Sequence, residues 1–283
     1  MLRKYLTDEM CKSIALYRQS VTDITLTKNA NMYMSVAGCI VDTDCFVSEA
    51  LFERILSNIC NGSIYANQTT LKQGYITLEN GIRIGFTGTA VLTEEGVITH
   101  LRDITAMNIR ILRFLPGAAN KIMPIVSNGE RIFNTLIIAP PGAGKTTLIR
   151  DIAFQLGKDY RIAIADERCE IMPQGIQSGH IFVMRGAPKD KAMTMLLRSM
   201  SPRVVITDEV STKEDGAAVL KLMHSGVKVV CTAHGYSEND IINGDVFGAF
   251  IRHNLIEKII VLSDRNGPGT IEKTIDTKEL FNG

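Results

Sequence analysis

The segment Ala139-Pro-Pro-Gly-Ala-Gly-Lys-Thr146 has the residue types and spacing to hold a phosphate. Gly142 and Gly144 let the chain turn backbone N–H groups inward onto phosphate oxygens, and a helix beginning at the end of the loop adds partial positive charge. Lys145 can reach the β- and γ-phosphates, and the Thr146 hydroxyl can ligate Mg2+. The expected nucleotide-binding set is therefore Ala139, Pro140, Pro141, Gly142, Ala143, Gly144, Lys145, Thr146 and Thr147. The first position is Ala rather than Gly, which a negative φ tolerates. Such a motif carries meaning only between a strand and a helix. Here Thr135-Leu-Ile-Ile138 precedes it, and Leu148, Ile149, Ile152, Ala153 and Leu156 recur at helical spacing up to Gly157.

Three further apolar runs end in polar residues, and in an open parallel α/β sheet ligands bind beyond the carboxyl ends of strands. Val204-Val-Ile-Thr-Asp208-Glu209 has the form of a Walker B strand. Asp208 would enter the Mg2+ shell, and Glu209 would orient and polarise an attacking water, because phosphoryl transfer is catalysed mostly by placement and charge neutralisation. Ile162-Ala-Ile-Ala-Asp166-Glu167-Arg168 leaves two readings open. Glu167 shares the catalytic work through metal or water positioning, or Asp166 and Arg168 form a structural bridge. Val229-Val-Cys-Thr232-Ala-His234 brings a hydroxyl and an imidazole to the same edge, where His234 would sense the γ-phosphate and relay its presence to a subunit interface. The remaining histidines, His100, His180, His224 and His253, suggest no chemistry, and Met193, Met195 and Met200 read as helix packing.

The elements that must position these residues follow from periodicity. Thr7 caps a helix carrying Met10, Ile14 and Tyr17 on one face, and Ser48 begins another with Leu51, Phe52, Ile55, Leu56 and Ile59 in a stripe. Val21–Leu26 alternates as a half-buried strand, and Asn31–Val41 reads as one more. Tyr75–Leu78 and Ile82–Phe86 flank Asn80-Gly81, a pair suited to a two-residue hairpin turn. Thr89–Leu92, Val97–Leu101 and Met107–Leu112 add short strands. After a linker near Arg113–Gly117, a short helix leads to the loop strand, and strands then alternate with helices as in a parallel sheet. The helices are expected at Lys189–Met200, Thr212–Ser225 and Val246–His253. The strands are expected at Arg161–Ala165, Val204–Ile206, Lys228–Thr232, Ile256–Leu262 and Thr270–Ile275. The expected domains are thus an α+β domain over 1–113 and a P-loop domain over 114–283.

With 283 residues, 45% hydrophobic and 22% charged, the chain has ample material for buried cores. Its formal charge is +1, and neither residues 1–113 nor residues 114–283 carry the basic excess of a dedicated nucleic-acid binder. Six scattered cysteines lack metal-ligand spacing and are expected as free thiols in a reducing compartment. No apolar run approaches a bilayer span, and the first residues lack the apolar centre of a signal peptide. A cytoplasmic protein is expected, meeting the membrane only through partners.

Taken together these stretches resemble the stage III sporulation protein AA family, a branch of the type II/type IV secretion ATPases. The resemblance rests on Gly74-Tyr-Ile-Thr77, Arg83-Ile-Gly85, Asn108-Ile-Arg110, the loop at Ala139–Thr146, Asp166-Glu-Arg168, Leu197-Arg-Ser-Met-Ser-Pro202, Asp208-Glu209 and Thr232-Ala-His-Gly235. Two stretches depart from it, Ile24–Lys28 and Met172–Gly186. It implies a RecA-like ATPase core with a smaller N-terminal α+β domain, and a homo-oligomeric, hexameric ring. Arginines of the N-terminal domain would reach the nucleotide phosphates, here Arg102 and Arg110, with Arg83 as a further candidate. It implies hydrolysis of ATP with Mg2+, driving membrane-embedded proteins of a sporulation-specific channel between mother cell and forespore. Two other readings share the loop. One is a RecA-type nucleic-acid motor, which the balanced charge disfavours, and the other a nucleotide-gated scaffold with little turnover, which the Asp208–Glu209 pair disfavours.

Overall fold

Runs of Ile, Val, Leu and Ala that are buried at every position form the centre of the larger sheet, as expected where helices cover both faces of parallel strands. The computed structural model describes residues 2–17, 21–36, 38–60, 74–78, 82–111, 114–172 and 179–280. It divides into two units, Met1–Arg113 and Phe114–Gly283.

In the first unit, helix α1 (Asp8–Leu16) is capped by Thr7, whose hydroxyl accepts from Met10 N at 3.3 Å. Strands β1 (Val21–Thr27), β2 (Ala30–Val36) and β3 (Cys39–Val47) form an antiparallel meander. Helix α2 (Glu49–Ile59), capped by Ser48, buries Phe52, Ile55, Leu56 and Ile59. Strands β4 (Tyr75–Thr77), β5 (Arg83–Leu92) and β6 (Ile98–Arg110) complete a six-stranded antiparallel sheet in the order β3-β2-β1-β6-β5-β4. The expected single strand over Asn31–Val41 is in fact two, folded back at Gly38 with φ 88°. The short strands expected between Thr89 and Leu112 belong to the long pair β5 and β6, because bulges at Thr87/Thr89 and Val91/Leu92 break the alternation without ending the pairing. Gly88 sits in the first bulge, where an added Cβ would lie 2.9 Å from the Arg102 carbonyl oxygen. The expected turn at Asn80-Gly81 lies outside the described residues.

The second unit begins with a short helix α3 (Met123–Val126) and strand β7 (Thr135–Ala139), then helix α4 (Lys145–Leu156) and strands β8 (Ile162–Asp166) and β9 (Ile181–Arg185). Helix α5 (Lys189–Met200), strand β10 (Val204–Thr207), helix α6 (Lys213–His224) and strand β11 (Lys228–His234) follow. Helices α7 (Glu238–Ile242) and α8 (Gly248–Arg252) lead to β12 (Lys258–Ser263) and β13 (Thr270–Asp276). The seven strands lie in the order β13-β12-β7-β11-β10-β8-β9, all parallel except the final β12–β13 hairpin.

Alternation along each strand divides the core between the two faces. Leu136, Ile138, Val205 and Val229 pack with α5 and α6, whereas Ile137, Val204, Ile206 and Val230 pack with α4. Two elements escape sequence reading: β9, half-buried along its whole length, and α7, a single turn rich in Asn and Asp. Met193 is buried, but Met195 is 59% exposed, so only part of the expected methionine packing is internal.

Candidate functional site

Because β7, β8, β10 and β11 are parallel, their carboxyl ends share one edge, and the ladder fixes which residues stand side by side. Ala139 pairs with His234, Thr207 with Cys231 and Ala165 with Thr207. The glycine loop, Asp166, Asp208-Glu209 and Thr232 therefore emerge along a single rim.

The loop turns on two glycines in the left-handed region, Gly142 at φ 76° and Gly144 at φ 85°, the latter being the N-cap of α4. This geometry aims successive N–H groups into one concavity, suited to an anion. At Gly144 an added Cβ would lie 3.1 Å from Gly269 N. Gly269 N–H also donates to the Ala143 carbonyl at 2.9 Å, so the β12–β13 turn braces the loop. Beside that brace is a cavity of about 480 Å³ lined by Lys121, Asn266, Pro268, Gly269, Thr270 and Ile271. Lys145 Nζ donates to the Ala139 and Pro140 carbonyls at 2.7 and 2.8 Å. Burial pulls its ammonium below the ordinary lysine range, while the Glu209 carboxylate pulls the other way. Thr146 and Thr147 are half-buried in the first turn, and Pro140, Pro141 and Ala143 complete the loop around it.

The acidic rim is ordered by contacts that motif spacing does not reveal. Thr232, 1% exposed, accepts from Glu209 N at 2.7 Å and so pins the residue after Asp208 to β11. Arg168 Nη1 stands 3.6 Å from Glu209 Oε2. Asp208 is 6% exposed, and its Oδ1 is buried without a hydrogen-bond partner. Burial pushes its carboxyl above the ordinary aspartate range, against the pull of Lys189. Lys189, also 6% exposed, places Nζ 2.9 Å from the Glu209 carbonyl, 3.5 Å from Asp208 Oδ1 and 3.9 Å from Glu167 Oε2.

Asp166 behaves differently. It is fully buried, and its two oxygens accept from Glu170, Ile171 and Met172 N–H groups at 2.8–3.1 Å. Arg150 holds the same loop through its Nε bond to the Ile171 carbonyl, at 2.6 Å. The bridge considered between Asp166 and Arg168 is not formed, since Arg168 turns to Glu209. Glu167 remains 43% exposed. His234 is exposed at the end of β11, with its ring edge-on to Tyr236 at 5.9 Å. Arg102 and Arg110 both lie on β6 of the first unit and are largely exposed, 3.3 Å from Asp103 and 3.4 Å from Asp23 respectively. Arg83 pairs across the ladder with Arg110 and covers the Tyr75 ring at 3.7 Å.

Among the described residues no group of three or more His, Cys, Asp or Glu could hold a metal alone. Mg2+ does not require one, since it is commonly held by one or two protein oxygens with phosphates and water. The orphaned Asp208 Oδ1, with the Thr146 hydroxyl at the start of α4, fits that kind of donor set.

A family model described as sporulation stage III, protein AA matches residues 24–280. The chain belongs to that family. One member, the stage III sporulation protein AA of Bacillus subtilis (strain 168), is 37% identical over 257 residues, which is 87% of this chain and 80% of the relative. Among solved structures, the pilus retraction motor PilT with bound ADP matches 89% of this chain and 76% of its own, with TM-score 0.64 and 15% identity. The Legionella pneumophila ATPase DotB matches 89% and 74%, with TM-score 0.61 and 19% identity. The fold of this family member is therefore the RecA-like α/β fold of secretion ATPases. Sequence reasoning missed Lys189 and the backbone role of Thr232. The one visible signal for Lys189 was a cation in the first turn of a helix, where the macrodipole disfavours it.

Proposed function

We propose that the protein hydrolyses ATP to ADP and phosphate, and that this drives membrane-embedded partners of a sporulation-specific secretion-like channel. The observation that carries the reading is the convergence, on one sheet edge, of a two-glycine nest with Lys145 and an acidic pair whose Asp208 Oδ1 is unsatisfied. The likeness of fold to PilT and DotB, and membership of the sporulation family, support it.

In this reading the loop amides and Lys145 clamp the phosphates, with Lys145 exchanging its carbonyl partners for phosphate oxygens. The cavity beside Gly269 offers room for the nucleoside. Thr146 and Asp208 hold Mg2+, which neutralises developing charge on the phosphates. Glu209 orients the attacking water, and Arg168, 3.6 Å away, holds the Glu209 carboxylate in place. Glu167 assists at the same rim, His234 senses the terminal phosphate, and Arg102 and Arg110 contribute positive charge to the phosphates. The residues 1–113 and 114–283 act as two domains, and the protein works as a homo-oligomeric ring, six subunits by the family pattern. It acts on the cytoplasmic side in the mother cell, and no helix among the described residues is long and apolar enough to cross a membrane.

Phosphate release by the purified protein with ATP and Mg2+, alongside mass by light scattering with and without ATP, tests this. Release that needs Mg2+ and is unchanged by added DNA or RNA is expected, with a nucleotide-favoured oligomer. No release above background, in the presence of normal nucleotide binding, would convert the protein into a gated scaffold. Stimulation by nucleic acid would instead favour a nucleic-acid motor.

A further inference from the structure

Lys189 occupies a position that ordinary folding preferences disfavour twice. It is the first residue of α5, where the helix macrodipole repels a cation, and Pro188 before it supplies no side-chain cap. It is also 6% exposed, and burying an ammonium is unfavourable unless it is paired and hydrogen-bonded. Its partners explain why it is there. Nζ donates to the Glu209 carbonyl at 2.9 Å and faces Asp208 Oδ1 at 3.5 Å, with Glu167 Oε2 at 3.9 Å on the exposed side. From the other side, Thr232 Oγ1 accepts from Glu209 N at 2.7 Å. The peptide groups on either side of Glu209 are thus held by two different elements, one from β11 and one from α5.

We propose that Lys189 is a positioning residue for the Mg2+ ligand Asp208: it fixes the backbone carbonyl of Glu209, next in the chain, and balances the buried carboxylate, so that Asp208 presents Oδ1 to the Mg2+ that accompanies a nucleotide. The inference rests on the nucleotide reading above and adds to it a residue outside the motifs. Lys189 does not touch nucleotide or the attacking water, so its effect is carried through Asp208. A partner that orients a metal ligand commonly matters by about 10- to 100-fold in metal affinity.

The test is ADP affinity by isothermal titration calorimetry, in Mg2+ and in EDTA, for the full chain and for Lys189→Met. The variant is expected to lose about tenfold or more of the Mg2+-dependent gain in affinity, while its affinity in EDTA stays within about twofold of the parent. In an Asp208→Asn background, Lys189→Met should add nothing further, since residues acting through one another are not additive. Lys189→Gln, which keeps a donor for the Glu209 carbonyl but no charge, should fall between parent and Met, and it carries the same comparison if the Met variant fails to fold. An unchanged Mg2+ gain in the variants, a larger gain, or equal losses in Mg2+ and EDTA would each overturn the proposal. A parent protein that binds ADP in neither condition would remove the nucleotide reading, and this inference with it. Normal parental binding with unaffected variants would remove this inference alone.

Discussion

The ends of β8 and β10 look alike in sequence and differ in what their carboxylates are free to do. Each strand is an apolar run closed by Asp-Glu, and the two strands are ladder neighbours with Ala165 opposite Thr207. Asp166 places both oxygens on three backbone N–H groups of the following loop. Asp208 leaves Oδ1 buried and unbonded beside an ammonium. The comparison separates an aspartate that builds a loop from one that keeps a lone pair available. Burial alone does not distinguish them, because both are buried; the hydrogen-bond inventory does.

The largest expected contrast comes from removing each charge. Asp208→Asn should lower turnover about a hundredfold or more, as expected when charge stabilisation at the transferring phosphoryl group is lost. Its folding stability should change less than that of Asp166→Asn, because relief of the desolvated carboxylate is offset by the buried Lys189 ammonium losing its counter-charge. Asp166→Asn should do the reverse. It leaves a buried N–H short of an acceptor and should lower folding stability by about 1–3 kcal/mol, visible in urea unfolding, with turnover falling only as the loop loosens. If both variants lost turnover at unchanged stability, the distinction between the two strand ends would fail.

A smaller contrast lies within the glycine loop. Gly142→Ala meets nothing within 4 Å, whereas Gly144→Ala brings a Cβ to 3.1 Å from Gly269 N. Both incur the left-handed penalty of about 1–2 kcal/mol. Only Gly144→Ala should also shift the β12–β13 turn, and it should therefore lose more nucleotide affinity than Gly142→Ala when both are measured by calorimetry.

The smallest effect concerns a third carboxylate of the satisfied kind. Glu257 accepts from Asn134 N at 2.9 Å and Lys228 Nζ at 2.7 Å, and pairs with Arg131. Burial pulls its carboxyl upward, but Lys228 and Asn134 outweigh that and hold it below the usual glutamate range. A depressed folded value means that stability is present above the ordinary range, about pH 4.3, and is lost as pH falls through the lower folded value. Glu257→Gln should therefore lower stability at neutral pH by about 1 kcal/mol and flatten the acid limb of a melting-temperature profile.

The parts of the fold legible in the sequence were those whose signal is local. β7, β8 and β10 are unbroken apolar runs, and the helix after the loop keeps its buried positions at helical spacing. Thr212 marked the start of α6 as its N-cap, to which the structure adds a capping box with Asp215. β9 does carry an apolar run, Ile181-Phe-Val-Met184, which the sequence reading passed over; it lies half-buried at the edge of the sheet rather than in its fully buried centre. β5 and β6 read as fragments because bulges shift the alternation partway along the pairing. At the site, the glycine loop and Asp208-Glu209 carried their own pattern. Lys189 and Thr232 did not, because each acts on the Glu209 backbone from about 20 residues away, through a contact that only the ladder and α5 create. Motif spacing left Asp166 open between sharing metal or water positioning and bridging to Arg168, and only the amides of Glu170, Ile171 and Met172 show what its carboxylate does.

The central claim is that the β10 end is a hydrolytic centre in which Glu209 directs water. Its most direct test is single-turnover phosphate release by Glu209→Gln, with ATP affinity measured on the same sample. The account predicts ATP binding within about threefold of the parent and release slower by about a hundredfold or more, the scale of a lost general base. Parental rates of release from the Gln variant would contradict it.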